Sequence, residues 1–253
     1  MLVLPLTFFV TALLYACIGF GGGSTYNALL VLGDTDYRII PLISLFCNIV
    51  VVSGGVWHFS RERHVRIPRI VPWITFSVPA SFAGGILPVP EIVFTGVLGF
   101  MLLFSGIRLL WPEKEDLLPG LRAGSDYKFM PAILGFSLGL LAGITGIGGG
   151  IFLAPVLHFL RWGNAKQIAG ACALFILVNS LAGIVGQSLK IENEALFSAL
   201  SPYWALLPAV LVGGQIGSWL GAAQINTSMV KKMTGLLVLY VAARLIMKFV
   251  GML

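Results

Sequence analysis

Charge is what this chain has least of: 16 Lys and Arg and 10 Asp and Glu among 253 residues, 10% of a sequence that is 58% hydrophobic. Soluble chains average about 25% charged and about 45–50% apolar residues, and so few charges would leave large apolar patches facing water. The scarcity excludes a soluble enzyme, a nucleic-acid binder and a disordered chain, and places the protein in a lipid bilayer. The net charge of +6 does not argue for nucleic acid, because a basic excess in a membrane protein collects in cytoplasmic loops. Cysteine is scarce too. Cys17, Cys47 and Cys172 each sit in an apolar run without CxxC or Cys/His spacing, which excludes a disulfide framework and a metal site. His58, His64 and His158 are scattered, so no catalytic cluster, metal or cofactor is expected, and no nucleophile lies beside a base.

The N-terminus is apolar, yet no Lys or Arg precedes Arg38, and a secretory signal needs a basic start. The segment is expected to be retained. Cys17 lacks a small residue at Tyr15 and is not expected to carry a lipid.

A crossing helix needs about 20 apolar residues. Such runs fall at roughly 2–32, 39–57, 70–88, 92–111, 131–160, 167–188, 202–222 and 232–250. The first and fifth are too long for one crossing, and each is interrupted by glycine, at Gly19 to Gly23 and at Gly143 to Gly150. The expected class is an all-α polytopic membrane protein. A membrane repeat over 1–111, a charged linker over 112–130 and a second repeat over 131–253 are expected from the matches between the halves. Gly21-Gly22-Gly23 falls on Gly148-Gly149-Gly150 at an offset of 127, Asn48 on Asn179 at 131, Pro79-Ala80 on Pro208-Ala209 at 129, and Arg108 on Arg244 at 136. Four matches in one order with slowly drifting offsets mark two related sets of four segments.

Whether the repeats are parallel or inverted turns on the broken segments. Set the arginine-rich loop between His58 and Arg69 in the cytoplasm. With single crossings the loop Lys and Arg residues divide nine inside against five outside. If each broken segment is re-entrant or crosses twice, Arg161, Lys166, Lys231 and Lys232 move inside, Lys190 and Lys248 move outside, and the division becomes eleven against three. Inverted repeats satisfy the positive-inside rule better. Secondary transporters use them with a site at the repeat interface near the midplane.

A triple glycine inside a span is tolerated where it is buried in protein or lines a polar cavity. The half-helices expected to start at Ser24 and Ile151 would point free N–H groups and a positive dipole end at the break, which suits an anion, and glycine permits a concave nest of donors. Candidate substrate contacts are therefore Gly21, Gly22, Gly23 and Ser24 in the first half and Thr145, Gly148, Gly149, Gly150 and Ile151 in the second, with Asn48 and Asn179 from neighbouring spans. Thr25, Asn27 and Ser180 lie close in sequence, and Gln187 and Gln215 are read as packing or interfacial residues. Gly213, Gly217 and Gly221 are read as helix-packing glycines. No Asp or Glu lies within a span, and Glu91 sits at an edge, so a carboxylate proton relay is not expected. Arg108 and Arg244 are expected to snorkel.

The segments GFGGGSTYNALLVLG from Gly19 and GITGIGGGIFLAPVLHFLRWGNAKQIAGACALFILVNSLAGIVG from Gly143 carry a family pattern. Over essentially its whole length the chain resembles the TauE/SafE sulfite exporters, membrane transporters of bacteria and archaea. The resemblance implies a transporter of sulfite or a related sulfur anion such as a sulfonate or thiosulfate, in the prokaryotic cytoplasmic membrane. The first half has Phe20 and Ala28 where the second has Ile147 and Pro155, so the two half-sites need not contribute equally. The alternatives are an anion channel with a glycine-nest filter and an accessory membrane subunit. A bulky residue at Gly22 or Gly149 is expected to remove binding, and a conservative change at Gly217 to spare it.

Overall fold

The computed structural model describes residues 3–110, 129–190, 198–223 and 227–252. Among these residues the only regular structure is helical: α1 (Val3–Ala16), α2 (Gly23–Leu32), α3 (Ile40–Arg61), α4 (Ile67–Ile86), α5 (Glu91–Leu110), α6 (Met130–Thr145), α7 (Gly150–Phe159), α8 (Ala165–Lys190), a 3-10 turn (Ser201–Ala205) that runs into α9 (Leu206–Ala223), and α10 (Thr227–Gly251). The expected linker lies outside the described residues up to 128.

Among the described residues five stretches are long and apolar enough to cross a membrane: 40–61, 91–110, 165–190, 201–222 and 232–251. The expected first and fifth spans are each two helices meeting at glycines, α1 with α2 and α6 with α7. Other boundaries shift by a few residues because hydropathy ends before the helix does. Thus α3 runs past the apolar run to Arg61, where His58 and Arg61 sit beside the unpaired carbonyls of its last turn. Pro41, Pro68 and Pro131 occupy the first turns of α3, α4 and α6, where the missing N–H costs nothing. Large apolar side chains face outward, among them Trp57, Phe104, Phe136, Trp219 and Leu236. This is the surface of a multi-pass membrane protein, for which lipid is the outer solvent.

Glycine sets the helix contacts. Gly135, Gly139 and Gly143 of α6 lie against the backbone carbonyls of Trp73, Ser77 and Ser81 on α4. Gly213, Gly217 and Gly221 of α9 lie in the same way against Phe9, Leu13 and Cys17 at α1. In both pairs the numbers rise together, so the helices run parallel, with backbones touching as small-xxx-small stripes allow. The expected tolerance of Gly217 is corrected here: a Cβ at that position would strike the Leu13 backbone.

Helices α3 and α8 run through the middle. Gly170 meets Phe59, Gly55 meets Ala173 and Gly183 meets Leu45, so they are antiparallel. Helices α5 and α10 are also antiparallel, through Gly96 with Phe249, Gly99 with Ile246 and Gly106 with Leu239. Two further contacts close the bundle, α4 on α8 and α3 on α9.

Candidate functional site

Each break is a short turn held by left-handed glycines. After α1, Gly19 N donates to Ala16 O at 3.1 Å and Phe20 N to Tyr15 O at 2.9 Å. Gly22, with φ +91, then caps α2 at its N-terminus without a side-chain cap. After α6, Gly146 N donates to Ala142 O at 2.8 Å, and Gly149, with φ +79, caps α7 in the same manner. A side chain at either cap would cost about 1–2 kcal/mol in backbone strain alone. The helices begin at Gly23 and Gly150, one residue before the expected Ser24 and Ile151. At the first break the chain doubles back. Tyr15 Oη lies 2.7 Å from Thr25 Oγ1 and 3.2 Å from Ser24 Oγ, and Phe8 stacks on Tyr26 with centroids 4.5 Å apart.

Asn48, on α3, reaches both breaks. Its Oδ1 accepts the Gly23 N–H at 2.9 Å, and its Nδ2 donates to Ile147 O at 3.1 Å and Gly146 O at 3.3 Å. Asn27, on α2, makes a parallel connection: its Nδ2 donates to Thr145 O while its Oδ1 accepts from Ser44 Oγ. Gly21 and Gly23 lie against the Asn48 side chain, and Gly148 lies against Ile176, Ser180 and Asn48. Gly149 and Gly150 pack on Phe175 and Ile176. Ser24, Asn48, Thr145 and Asn179 are at most 1% exposed, and Ile151 is 3% exposed. The two breaks therefore meet in one sealed interior.

The repeat partner of Asn48 behaves differently. Asn179 donates its Nδ2 to Phe175 O on its own helix at 2.8 Å, while its backbone oxygen accepts from Ser81 Oγ at 2.8 Å. Its Oδ1 has no partner, nor do Ser180 Oγ, Gln187 Oε1 and Tyr26 Oη, all of them buried. The Gln187 amide donates to Gly143 O at 2.8 Å, at the end of α6. Sequence reading did not single out Ser44 or Tyr26. Ser44 lies four residues before Asn48, and Tyr26 four after Gly22, a spacing that puts each pair on one helical face. The polar i,i+4 pair of Ser44 and Asn48 in an apolar helix is the signal that could have found Ser44, whereas Tyr26 carries no such signal.

The far ends of the short helices are tied by cations. Lys248 Nζ, on α10, donates to Val31 O at 2.6 Å and to Asp34 Oδ1 at 2.8 Å, and Arg69 Nη1 donates to Trp162 O at 3.1 Å. The Lys248 hydrogen bond and charge hold the Asp34 carboxyl below its usual value. Around it, Thr35, Asp36, Arg38, Glu91 and Lys248 line an open cavity of about 430 Å³. Arg108 lies in the last turn of α5, and Arg244 is exposed on α10.

A family model described as Sulfite exporter TauE/SafE matches residues 4–245. A probable membrane transporter protein of Sinorhizobium fredii, y4hK, is 32% identical over 250 residues, covering 96% of this chain and 97% of its own length. A probable membrane transporter protein of Bacillus subtilis, YjnA, is 25% identical over 217 residues, covering 78% and 83% respectively. No solved structure matches the chain.

Proposed function

The chain belongs to the sulfite exporter TauE/SafE family, and on that premise we propose that it is a secondary transporter carrying sulfite or a related sulfur anion, a sulfonate or thiosulfate, across the prokaryotic cytoplasmic membrane by alternating access. The family is one of membrane transporters rather than enzymes. The substrate sits between the two glycine breaks, near Gly21 to Ser24, Thr145, Gly148 to Ile151, Asn48 and Asn179.

The observation that carries this reading is the Asn48 side chain, which touches both breaks at once inside a sealed interior. The positively polarised start of α2 meets the second break at one buried place, and such a helix start suits an anion. An occluded interior suits a carrier better than the open filter of a channel.

Two inverted repeats, 1–111 and 131–253 joined by the linker 112–130, supply the moving parts. Four observations support them. Exchanging α1 to α5 for α6 to α10 carries the main helix contacts onto one another: α1 on α9 becomes α6 on α4, and α3 on α9 becomes α8 on α4. Positive φ recurs at an offset of 127 for Gly19 and Gly146, for Gly22 and Gly149, and for Asp34 and Arg161. The helices that pair with their own counterparts, α3 with α8 and α5 with α10, are antiparallel, which a two-fold axis in the membrane plane requires and an axis along the normal forbids. The Lys248–Asp34 and Arg69–Trp162 contacts join the ends that only a doubled-back break brings to one side.

The test is counterflow of radiolabelled sulfite into proteoliposomes of the purified protein, competed with sulfate, thiosulfate, sulfoacetate, taurine, phosphate and chloride. Exchange blocked selectively by sulfur anions is the expected result. Flux without exchange or saturation would favour the channel, and none at all would return the substrate class to question.

A further inference from the structure

The two breaks are chemically unequal. At the first, the N–H of Gly23 is already engaged by a side-chain oxygen, Asn48 Oδ1, at 2.9 Å. Beside it stands the Tyr26 hydroxyl, 0% exposed, without a hydrogen-bond partner, and 2.8 Å from the point a Cβ on Gly22 would occupy. At the second break the apolar Ile176 covers both Gly148 and Gly150, and the unpaired Ser180 hydroxyl stands beside Gly148 on the neighbouring helix α8 rather than on the helix that the break starts. A buried hydroxyl left unpaired costs about 1–3 kcal/mol. Such a group calls for an explanation, and a ligand that satisfies it is one. Tyr26 lies on α2 itself and folds back toward the start of that helix, which puts its hydroxyl beside Gly22, the residue just before the Gly23 N–H.

We infer that the first break is the oxyanion subsite, with the Tyr26 hydroxyl as a substrate ligand and the Asn48 carboxamide as a tethered placeholder that the substrate displaces. This rests on the sulfur-anion reading and deepens it. A carboxamide oxygen is a neutral acceptor, and an anion oxygen at the same helix start is a stronger one, because the hydrogen bond is charge-assisted and the dipole favours negative charge. When the anion takes the Gly23 N–H, Oδ1 is expelled and the amide turns. That turn also withdraws Nδ2 from the Gly146 and Ile147 carbonyls, the bond that fastens the first break to the second. Occupancy and unlocking are then one event, as a carrier needs if only the loaded form is to change its facing.

Tyr26→Phe removes one oxygen atom that bonds to nothing in the empty protein. Titration calorimetry of sulfite into the purified protein should give a dissociation constant about tenfold weaker for this variant, the loss of one hydrogen bond to a charged group, with no fall in Tm. Asn48→Ala, unlocked whether loaded or empty, should bind sulfite at least as tightly as the parent and should let preloaded sulfite leave proteoliposomes without a counter-substrate on the other side, which the parent should not. Asn48→Asp, which places a fixed negative charge on the Gly23 N–H, should weaken binding beyond detection. A parent that binds sulfite together with an unchanged dissociation constant in Tyr26→Phe overturns the subsite alone. Asn48→Ala that stays monodisperse but loses binding overturns the placeholder and makes Asn48 a direct ligand. A parent that answers none of the sulfur anions overturns the function proposed above, and the subsite with it.

Discussion

The Nδ2 of Asn48 lies 3.1 Å from the carbonyl oxygen of Ile147, ninety-nine residues further along the chain. One carboxamide thus completes the backbone hydrogen bonding of two separate helix interruptions, a demand that hydrocarbon surroundings make strict. Removing it leaves a buried N–H and two carbonyls to find other partners. Asn48→Ala should cost about 1–3 kcal/mol, read as a lowered Tm in detergent, and should raise amide hydrogen exchange in 20–26 and in 144–151 together. A rise confined to the first segment would show that the link to the second is without consequence.

Glycine at the two caps answers to φ as well as to space. Ala at Gly22 would meet the Tyr26 ring and require a φ of +91. Ala at Gly149 would approach Phe175 at 3.0 Å with φ +79. Both variants should lose sulfite counterflow and some stability. The matched control is Gly55→Ala, whose new methyl would meet Ala173 Cβ at an ordinary 3.4 Å, and this variant should transport normally. Gly217→Ala should destabilise, by prising α1 from α9.

Sidedness is checked with single cysteines, since Cys17, Cys47 and Cys172 are buried and silent to impermeant reagents. Asn164→Cys and Arg63→Cys are exposed positions and should label from the same face of oriented vesicles, with Arg38→Cys labelling from the other. If Asn164→Cys labels with Arg38→Cys, the second broken segment crosses once and the halves are not inverted.

The Lys248 bridge predicts a pH response at the end of α2. Because Asp34 is held below its ordinary value in the folded protein, its contribution is complete above the usual carboxylate range and is lost as pH falls through the lowered value. Hydrogen exchange of 29–36, corrected for intrinsic rates, should rise at acid pH in the parent and be raised already at neutral pH in Asp34→Asn. A variant as protected as the parent would make the bridge incidental.

The sequence held the broken segments, the convergence on glycine and the inward-facing asparagines in plain view, because glycine runs in overlong apolar segments have few physical explanations. It did not distinguish Asn48 from Asn179. The repeat alignment makes them equivalent, and the difference lies in three-dimensional reach: Asn48 spans to both breaks, while Asn179 folds onto the Phe175 carbonyl. Tyr26 was invisible for another reason. An aromatic residue in an apolar helix is usually core, and only the stack on Phe8 and the unpaired hydroxyl set it apart. Gly217 was misjudged because a stripe of glycines reveals close packing but not how close, and here the neighbour is backbone.

The glycine stripes also bear on synthesis. Each joins a helix before the 111–128 stretch to a helix after it: α6 seats on α4 soon after it is made, and α1 waits for α9. While the ribosome is still making the C-terminal portion, α1 has been threaded into the membrane with its docking ridge vacant. Assembly must finish late, with the last helices closing on the first, and the two portions expressed as separate polypeptides should each be degraded unless they are produced together.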